Sequence, residues 1–240
     1  MPIYKYKLDL LIRIIMVKCI RAVEFDEAGE DMEKQERDSN KKFWNRFASK
    51  YDFIIKKDEQ AYEEMIKLIR RDVNSKMEML ELATGTGLIA LRIADKVKYL
   101  EATDFSEEMI KEAKQKERPN NLNFSVEDAC DLPYGSKTFD CVLISNALHI
   151  MPKPEEALSN IKRVLKDDGI LIAPTFTHKS SIKSKVLWKL MSIVGFKAYS
   201  KWTNDEYIKF IKSNGFKIKK SKKIKATFEL AYVVAIKESR

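Results

Sequence analysis

Apolar runs of strand length alternate with amphipathic segments through the middle of the chain. The runs at residues 79–82, 99–104, 122–126 and 139–145 are separated by segments whose apolar positions recur every three or four residues, as in helices. Strands that alternate with helices predict a mostly parallel sheet with helices on both faces. In such α/β sheets ligands bind at the carboxyl-terminal ends of the strands, so we expect the functional residues along that edge.

The C-terminal tail breaks this alternation. Residues 216–225 and 226–237 are two strand-like runs with no helix between them. Strands that follow each other directly pair antiparallel. The sequence thus predicts a doubly wound, mostly parallel sheet that ends in an antiparallel C-terminal hairpin, a feature that dinucleotide-binding domains lack.

The N-terminal segment does not fit either pattern. We expect residues 1–38 to form an extension that is partly mobile, because residues 24–40 are acidic and polar without a packing period. Met32 is a natural start for a shorter chain, so residues 1–31 could be dispensable. The longest apolar run, Leu8 to Ile20, contains charged residues and is too short to span a membrane.

Aromatic residues recur at helical spacing from residue 43 onward. Phe43, Trp44, Phe47 and Tyr51 form one bulky face of a predicted helix. Such a stripe packs into the core or lines a ligand site, and both interpretations stay open. A later segment, residues 175–202, has the length of a helical insert that caps a substrate pocket; a surface helix that buries one face is the alternative.

A small-residue loop follows the first predicted strand. Residues 79–87 read Met-Leu-Glu-Leu-Ala-Thr-Gly-Thr-Gly, which predicts a strand, a tight turn and a helix that begins at Leu88. Glycine at 85 and 87 permits backbone angles closed to other residues and removes the Cβ, so a nucleotide-like ligand can lie against the main chain. Residues 85–90, Gly-Thr-Gly-Leu-Ile-Ala, also satisfy the dinucleotide fingerprint, so the loop alone does not separate a methyl donor from a nicotinamide or flavin.

Acidic residues follow the next two strands. Asp104 ends the second strand, where a carboxylate can accept both hydroxyls of a ribose, as either cofactor class requires. Asp128 follows the third strand and can accept a hydrogen bond from the amine of an adenine. Nicotinamide sites have no standard use for that acid, so it favours a methyl donor.

With residues 139–149 and 164–171, these motifs resemble the class I S-adenosylmethionine-dependent methyltransferases over roughly residues 40–240. The nearest resemblance is to the ubiquinone/menaquinone-biosynthesis group and its small-molecule relatives. It implies a Rossmann-like sheet of seven strands, a helical N-terminal lid and one methyltransferase domain over residues 39–240. It also implies S-adenosyl-L-methionine as cofactor and S-adenosyl-L-homocysteine as product.

The resemblance assigns roles to residues. Glu81 and the loop 83–87 would hold the methionine part of the cofactor, with Ala83 where the family usually has glycine. Asp104 would hold the ribose and Asp128 with Ala129 the adenine. The full cofactor-binding set expected is Tyr51, Glu81, Ala83, Thr84, Gly85, Gly87, Asp104, Phe105, Met109, Asp128, Ala129, Ser145 and Asn146, the last two beside the sulfonium.

The resemblance also implies a lid and a pocket for the substrate that accepts the methyl group. In the resembling enzymes a helix that ends in a Tyr-Asp pair, here Tyr51 and Asp52, folds across the cofactor. The expected substrate pocket comprises Trp44, Phe47, Tyr51, His149, Phe176 and His178. His149 follows the fourth strand and, with an unperturbed pKa near 6.5, is the candidate general base. A hydrogen-bonded wall residue is the alternative for His149, and His178 is the second candidate base.

Composition bears on whether the protein binds a metal or RNA. Cys19, Cys130 and Cys141 show no metal spacing and are expected to be reduced thiols in a cytoplasmic protein without a metal. The net charge of +9 and a lysine-dense stretch at residues 212–225 suggest RNA binding as a hypothesis, although edge strands often carry lysine.

We expect methyl transfer by in-line displacement to a small, partly apolar quinol, phenol, thiol or amine. The alternatives are an RNA methyltransferase, a nicotinamide-dependent oxidoreductase and a non-catalytic cofactor-binding protein.

Overall fold

The computed structural model describes residues 39, 41–53, 55–177 and 198–238. The expected extension at 1–38 lies outside them, as do residues 178–197 of the expected insert. The helices are α1 (residues 41–53), α2 (Glu59–Asp72), α3 (Ala90–Ile93), α4 (Glu107–Lys114), α5 (Pro154–Val164) and α6 (Asn204–Ser213). The strands are β1 (Glu78–Leu82), β2 (Tyr99–Asp104), β3 (Leu122–Val126), β4 (Phe139–Ile144), β5 (Leu165–Ile172), β6 (Thr175–Phe176), β7 (Phe216–Ile224) and β8 (Leu230–Lys237).

These strands form one mixed sheet in the order β3-β2-β1-β4-β5-β8-β6, with β7 also paired to β8. Strands β1 to β5 pair in parallel, and β8 runs antiparallel to β5, β6 and β7. The predicted α/β sheet and its antiparallel C-terminal hairpin are therefore confirmed. Helices α2 and α3 pack with the cluster of Met79 and Tyr232, and α5 and α6 pack with that of Leu80 and Val233.

The described part of the sheet has eight strands where seven were expected. The difference arises at Pro174, which separates β5 from β6. Both strands lie along the same partner, since Ile172 is opposite Val234 and Thr175 is opposite Ala231 in β8. Proline has no N–H to continue the ladder, so one sheet position is divided into two short strands. Thr175 and Phe176 thus belong to the sheet and not to an insert.

The helix that follows β1 begins later in the sequence than expected. The helix expected from Leu88 begins at Ala90, and residues 85–89 form turns. Gly85 and Gly87 have φ of +59° and +77°, left-handed values, so a right-handed helix can begin only after Gly87. The helix begins at Ala90, two residues later than expected. The turn nevertheless brings the loop to the carboxyl-terminal edge of the sheet, beside the ends of β2 and β4.

Candidate functional site

The two loop glycines meet different neighbours. A Cβ on Gly87 would lie 2.6 Å from the ring Cζ of Phe124 in β3, so packing alone requires glycine there. A Cβ on Gly85 would lie 3.3 Å from the ring of Tyr51, which covers the loop from α1. Ala83 also has a left-handed φ, +53°, which costs an L-residue roughly 1–2 kcal/mol. This strain explains why glycine is usual at that position in the resembling family.

Glu81 is the most unusual group of the site. Its side chain is 1% exposed, and neither carboxyl oxygen has a hydrogen-bond partner among the described residues. Burial raises the pKa of Glu81 to about 8, although the nearby Thr84 hydroxyl lowers it; the charge of Asp104 makes a smaller contribution that raises it. A buried carboxyl group without partners is costly unless a ligand satisfies it. The ammonium of a methionine group is such a ligand, so Glu81 fits the amino-acid end of S-adenosylmethionine.

Asp104 joins the loops that follow β1 and β2. Its Oδ2 accepts the Gly85 N–H at 2.8 Å and its Oδ1 accepts the Ser106 N–H at 2.9 Å. Burial raises the pKa of Asp104 to about 6, against the effect of these N–H donors. Each carboxylate oxygen keeps a second lone pair, so Asp104 can still accept two ribose hydroxyls. Ser106 in turn caps α4, because its hydroxyl accepts the Met109 N–H at 3.2 Å.

The remaining nucleotide residues lie on the same edge. Phe105 follows Asp104 directly, with Lys41 Nζ 4.7 Å from its ring centroid. Asp128 follows β3, which pairs in parallel with β2, and its Oδ1 accepts the Cys130 N–H at 2.8 Å. Ala129 beside it is 8% exposed. The structure thus brings the ribose and adenine candidates to neighbouring strand ends, and their contact with a cofactor stays a prediction.

Polar contacts attach helix α1 to the glycine loop and to residues at the two ends of α4. Asp52 accepts hydrogen bonds from the Thr86 hydroxyl and from Lys116 Nζ, the latter at 2.7 Å. Lys116 also donates to the Thr86 carbonyl oxygen at 2.9 Å. At the other end of α1, Lys41 pairs with Glu107 at 2.6 Å. Sequence reasoning missed Lys116, because nothing distinguishes it from the other lysines around it.

The aromatic stripe of α1 is not part of the buried core. Phe43, Trp44, Phe47 and Tyr51 are all partly buried. Their rings contact one another, with centroids 4.5 Å apart for Phe43 and Phe47 and 6.0 Å for Trp44 and Tyr51. The helix therefore lies over the glycine loop with an aromatic face, which favours the lid interpretation.

A second hydrogen-bonded group surrounds the end of β4. Asn146 has a left-handed φ of +54°, a conformation that asparagine tolerates. Its Nδ2 donates to the Tyr62 hydroxyl at 3.1 Å, and its Oδ1 accepts the Phe176 N–H at 3.1 Å. Ser145 beside it donates to Met65 Sδ at 3.7 Å. Sequence reasoning missed Tyr62, which lies three residues before Met65 on the buried face of α2.

His149 is held in a buried turn. It lies in a 3-10 turn at Leu148–Ile150, is 4% exposed, and places Nδ1 3.0 Å from Thr175 Oγ1. Phe176, the next residue of β6, contacts Phe228 with ring centroids 6.3 Å apart. Phe228 was not expected, because it follows a lysine-rich strand. His178 lies outside the described residues.

The described residues contain neither a group of metal ligands nor a helix that could span a membrane. Among the residues described, no three His, Cys, Asp or Glu side chains are grouped as metal ligands. Cys130 and Cys141 are free thiols, and burial raises the pKa of Cys141 well above its usual value. None of the described helices combines the length and apolar character needed to cross a bilayer.

Comparisons with known proteins agree with this geometry. Residues 80–173 match the protein family described as "Methyltransferase domain". A ubiquinone/menaquinone biosynthesis C-methyltransferase of Rickettsia akari is 34% identical over 136 residues, which are 52% of this chain and 55% of that protein. The chain thus spans about half the length of the curated relatives it matches.

Solved structures share the fold. The methyltransferase chain of a Haloferax volcanii complex with the Trm112 activator has a TM-score of 0.71 at 17% identity, over 83% of this chain and 98% of that one. DhpI, solved with S-adenosylhomocysteine, has a TM-score of 0.68 at 17% identity, over 85% and 98%. The family match covers most of β1 and all of β2 to β5, and the structural matches extend over 83% and 85% of the chain. This chain therefore shares the Rossmann-like fold of these solved methyltransferases, and its residues 80–173 are similar in sequence to the methyltransferase domain family.

Proposed function

We propose that the chain transfers a methyl group from S-adenosylmethionine to a small, partly apolar acceptor, with a quinol-type ring as the first candidate. The observation that carries the proposal is Glu81, a carboxyl group buried without a described partner at the start of the glycine loop. It needs a cationic ligand, and the loop beside it presents Asp104 for ribose hydroxyls. An oxidoreductase cofactor offers no ammonium for Glu81.

The protein has little covalent chemistry to perform. The sulfonium of the cofactor supplies an electrophilic methyl group when it is bound. Glu81, the loop 83–87 and Asp104 would hold the cofactor, and Ser145 and Asn146 would lie beside its reacting end. Helix α1 would exclude water by covering Gly85 with Tyr51. Alignment and water exclusion are the main contributions that in-line displacement requires.

The acceptor side supports an aromatic ligand. Phe176 and Phe228 are partly buried at the same edge of the sheet as Asn146. The quinone-related Rickettsia akari protein supports a quinol-type ring, and phenols, thiols and amines follow as candidates. His149 can act as a base or as a wall residue. If it is the base, His149→Ala lowers turnover more than cofactor affinity.

Nucleic acid as the acceptor gains less support. Three lysines of β7 that suggested RNA binding pair with acids: Lys220 with Asp72 at 2.8 Å, Lys222 with Glu64 at 2.7 Å and Lys223 with Glu229 at 3.7 Å. Paired lysines are partly neutralised, so β7 offers phosphates a weaker field than its sequence suggests.

The first test is cofactor binding. The full chain is titrated calorimetrically with S-adenosylhomocysteine, with NADH as control. Saturable binding of the first alone supports the proposal, and a preference for NADH would overturn it. Methyl-labelled S-adenosylmethionine is then offered with 1,4-naphthalenediol, 1-naphthol, a thiol, an amine and a structured RNA. The labelled product identifies the acceptor class.

A further inference from the structure

The loop between β3 and β4 carries the residues expected to bind adenine, Asp128 and Ala129. Two hydrogen bonds within the loop set its shape. Asp128 Oδ1 accepts the Cys130 N–H at 2.8 Å, and the Asp128 carbonyl oxygen accepts the Asp131 N–H at 3.0 Å. The first of these bonds orients the carboxylate, so a shift of Cys130 would also shift the carboxylate. The contacts that fix Cys130 therefore bear on how adenine is bound.

Asn160 of α5 holds this loop by its side-chain amide. Its Nδ2 donates to the Cys130 carbonyl oxygen at 2.6 Å, and its Oδ1 accepts the Leu132 N–H at 3.4 Å. The orientation of the amide is fixed by both partners, because a carbonyl oxygen can only accept and a backbone N–H can only donate. Leu132 is 4% exposed and packs in the cluster of Leu158 and Ile161 of α5. The amide thus joins the loop to a helix that is anchored in the core.

Arg163, further along α5, supports the other end of the loop. Its Nη2 donates to the Leu132 carbonyl oxygen at 2.7 Å and to Asn160 Oδ1 at 2.9 Å. Its Nη1 donates to the Tyr134 carbonyl oxygen at 2.5 Å. Leu132 and Tyr134 both lie further from Asp128 in the chain than Cys130 does. Arg163 therefore fixes the distal part of the loop, and Asn160 fixes the residue that bonds to the Asp128 carboxylate.

The edge of an adenine ring requires one acceptor and one donor from the protein. Its exocyclic amine donates and the neighbouring ring nitrogen accepts. The Asp128 carboxylate would accept from the amine, and the main-chain N–H of Ala129 would donate to the ring nitrogen. Hypoxanthine presents the reverse pattern, an oxygen that accepts and an N–H that donates. A loop that holds the carboxylate in one position therefore distinguishes the two bases, and a loop that lets it move distinguishes them less.

We propose that Asn160 is a positioning residue that, by holding the Cys130 carbonyl oxygen, orients the Asp128 carboxylate and makes the cofactor site selective for adenine. This inference rests on the proposed function and adds a specificity-determining residue to it. The amino-acid and ribose parts of the cofactor would be held by Glu81 and Asp104, which lie at the ends of other strands. Loss of the Asn160 amide should therefore weaken recognition of the base and leave those contacts in place.

The test compares two ligands that differ only at the edge of the base. The full chain is titrated calorimetrically with S-adenosylhomocysteine and with S-inosylhomocysteine, which carries hypoxanthine. Wild type is expected to prefer S-adenosylhomocysteine about 10- to 100-fold, the size of one charge-assisted hydrogen bond. In Asn160→Ala this preference should fall about three- to tenfold, because S-adenosylhomocysteine binds more weakly while the affinity for S-inosylhomocysteine stays within about twofold.

A second variant at the same position separates positioning from folding. Asn160→Asp keeps an oxygen that can accept from the Leu132 N–H and from Arg163, so the loop remains attached to α5. It replaces the amino group with an oxygen that faces the Cys130 carbonyl oxygen and repels it. Asn160→Asp should therefore lose the preference for S-adenosylhomocysteine at least as far as Asn160→Ala does.

Asn121→Ala is the matched control. Asn121 also holds a loop by its amide, since its Nδ2 donates to the carbonyl oxygens of Ala94 and Val97 at 2.8 Å and 3.0 Å. That loop precedes β2 and lies at the opposite edge of the sheet from Asp128. Asn121→Ala should leave the preference for S-adenosylhomocysteine unchanged, whatever it does to the free energy of unfolding.

The contrary results differ in what they overturn. If both ligands lose affinity equally in the Asn160 variants, or Asn121→Ala lowers the preference as much, Asn160 only stabilises the fold and the inference is wrong. If wild type binds both ligands equally, the site does not distinguish the bases; the inference is then wrong, although cofactor binding stands. If wild type binds neither ligand, the proposed function itself fails, and the inference fails with it.

Discussion

The two sides of the candidate site are built by different means. The cofactor side, from Glu81 to Asp104, depends on backbone conformation and on main-chain N–H groups over a short stretch of sequence. The acceptor side joins side chains of α1, α2, β4 and β6, which are far apart in the chain. Loop geometry leaves a motif in the sequence, whereas contacts between distant side chains do not. The difference predicts that variants on each side affect different ligands.

The largest effect is expected at Asp104. Asp104→Ala removes the carboxylate that would bind two ribose hydroxyls, and charge-assisted hydrogen bonds are worth about 1.5–3 kcal/mol each. We expect affinity for S-adenosylhomocysteine to fall about 100-fold or more by calorimetry, on the same scale. Phe176→Ala, a variant of the expected substrate pocket on the acceptor side, should change that affinity far less. Equal losses of affinity in the two variants would show that the two sides of the site do not bind different ligands.

Glu81 makes the cofactor side sensitive to pH. Its pKa of about 8 in the free protein means that it holds a proton at neutral pH. A bound ammonium favours the carboxylate, so binding of S-adenosylhomocysteine below pH 8 should release a proton and tighten as the pH rises towards 8. Calorimetry at pH 7 in two buffers of different ionisation enthalpy measures this release. Glu81→Gln should abolish it.

The same group has an opposite effect on the free protein. Because the folded-state pKa of Glu81 is raised, its contribution to stability is complete near pH 4.5 and is lost as the pH rises through about 8. Glu81→Gln should therefore melt with less pH dependence over that range than wild type. A parallel decline in both proteins would place the titration elsewhere.

The fold and the positions of the cofactor-side candidates could be predicted from the sequence because their signals are local. The strand runs, the acids at strand ends and the C-terminal hairpin each depend on neighbouring residues, and the structure contains all three. Tyr62 and Lys116 could not be identified as site residues. A buried tyrosine at helical spacing looks like core, and a lysine in a basic segment looks like surface, until the fold brings their partners close.

The attachment of α1 lies between the two sides, and its effect should be moderate. Asp52→Ala removes the acceptor of Thr86 and Lys116. Because both partners of this ion pair are partly exposed, the loss should be below about 1 kcal/mol. S-adenosylhomocysteine should then dissociate about two- to fivefold faster in stopped flow, as that energy allows. Asp95→Ala, which breaks the exposed pair with Arg70, is the control and should leave the rate unchanged.

The smallest effect is expected at Ala83, and it tests whether the backbone alone defines the cofactor side. Its left-handed φ of +53° strains an alanine by about 1–2 kcal/mol, and glycine relieves this strain at an entropic cost of about 0.4–1 kcal/mol in the unfolded chain. Ala83→Gly should thus raise the free energy of unfolding by about 0.5–1 kcal/mol in urea titrations, the difference of those terms. Ala113→Gly in α4 should lower it, because that residue is helical and fully buried. If Ala83→Gly also lowers the free energy of unfolding, residue 83 does not adopt the strained conformation. Backbone conformation would then define the cofactor side less than the contacts of Gly85 and Asp104 indicate.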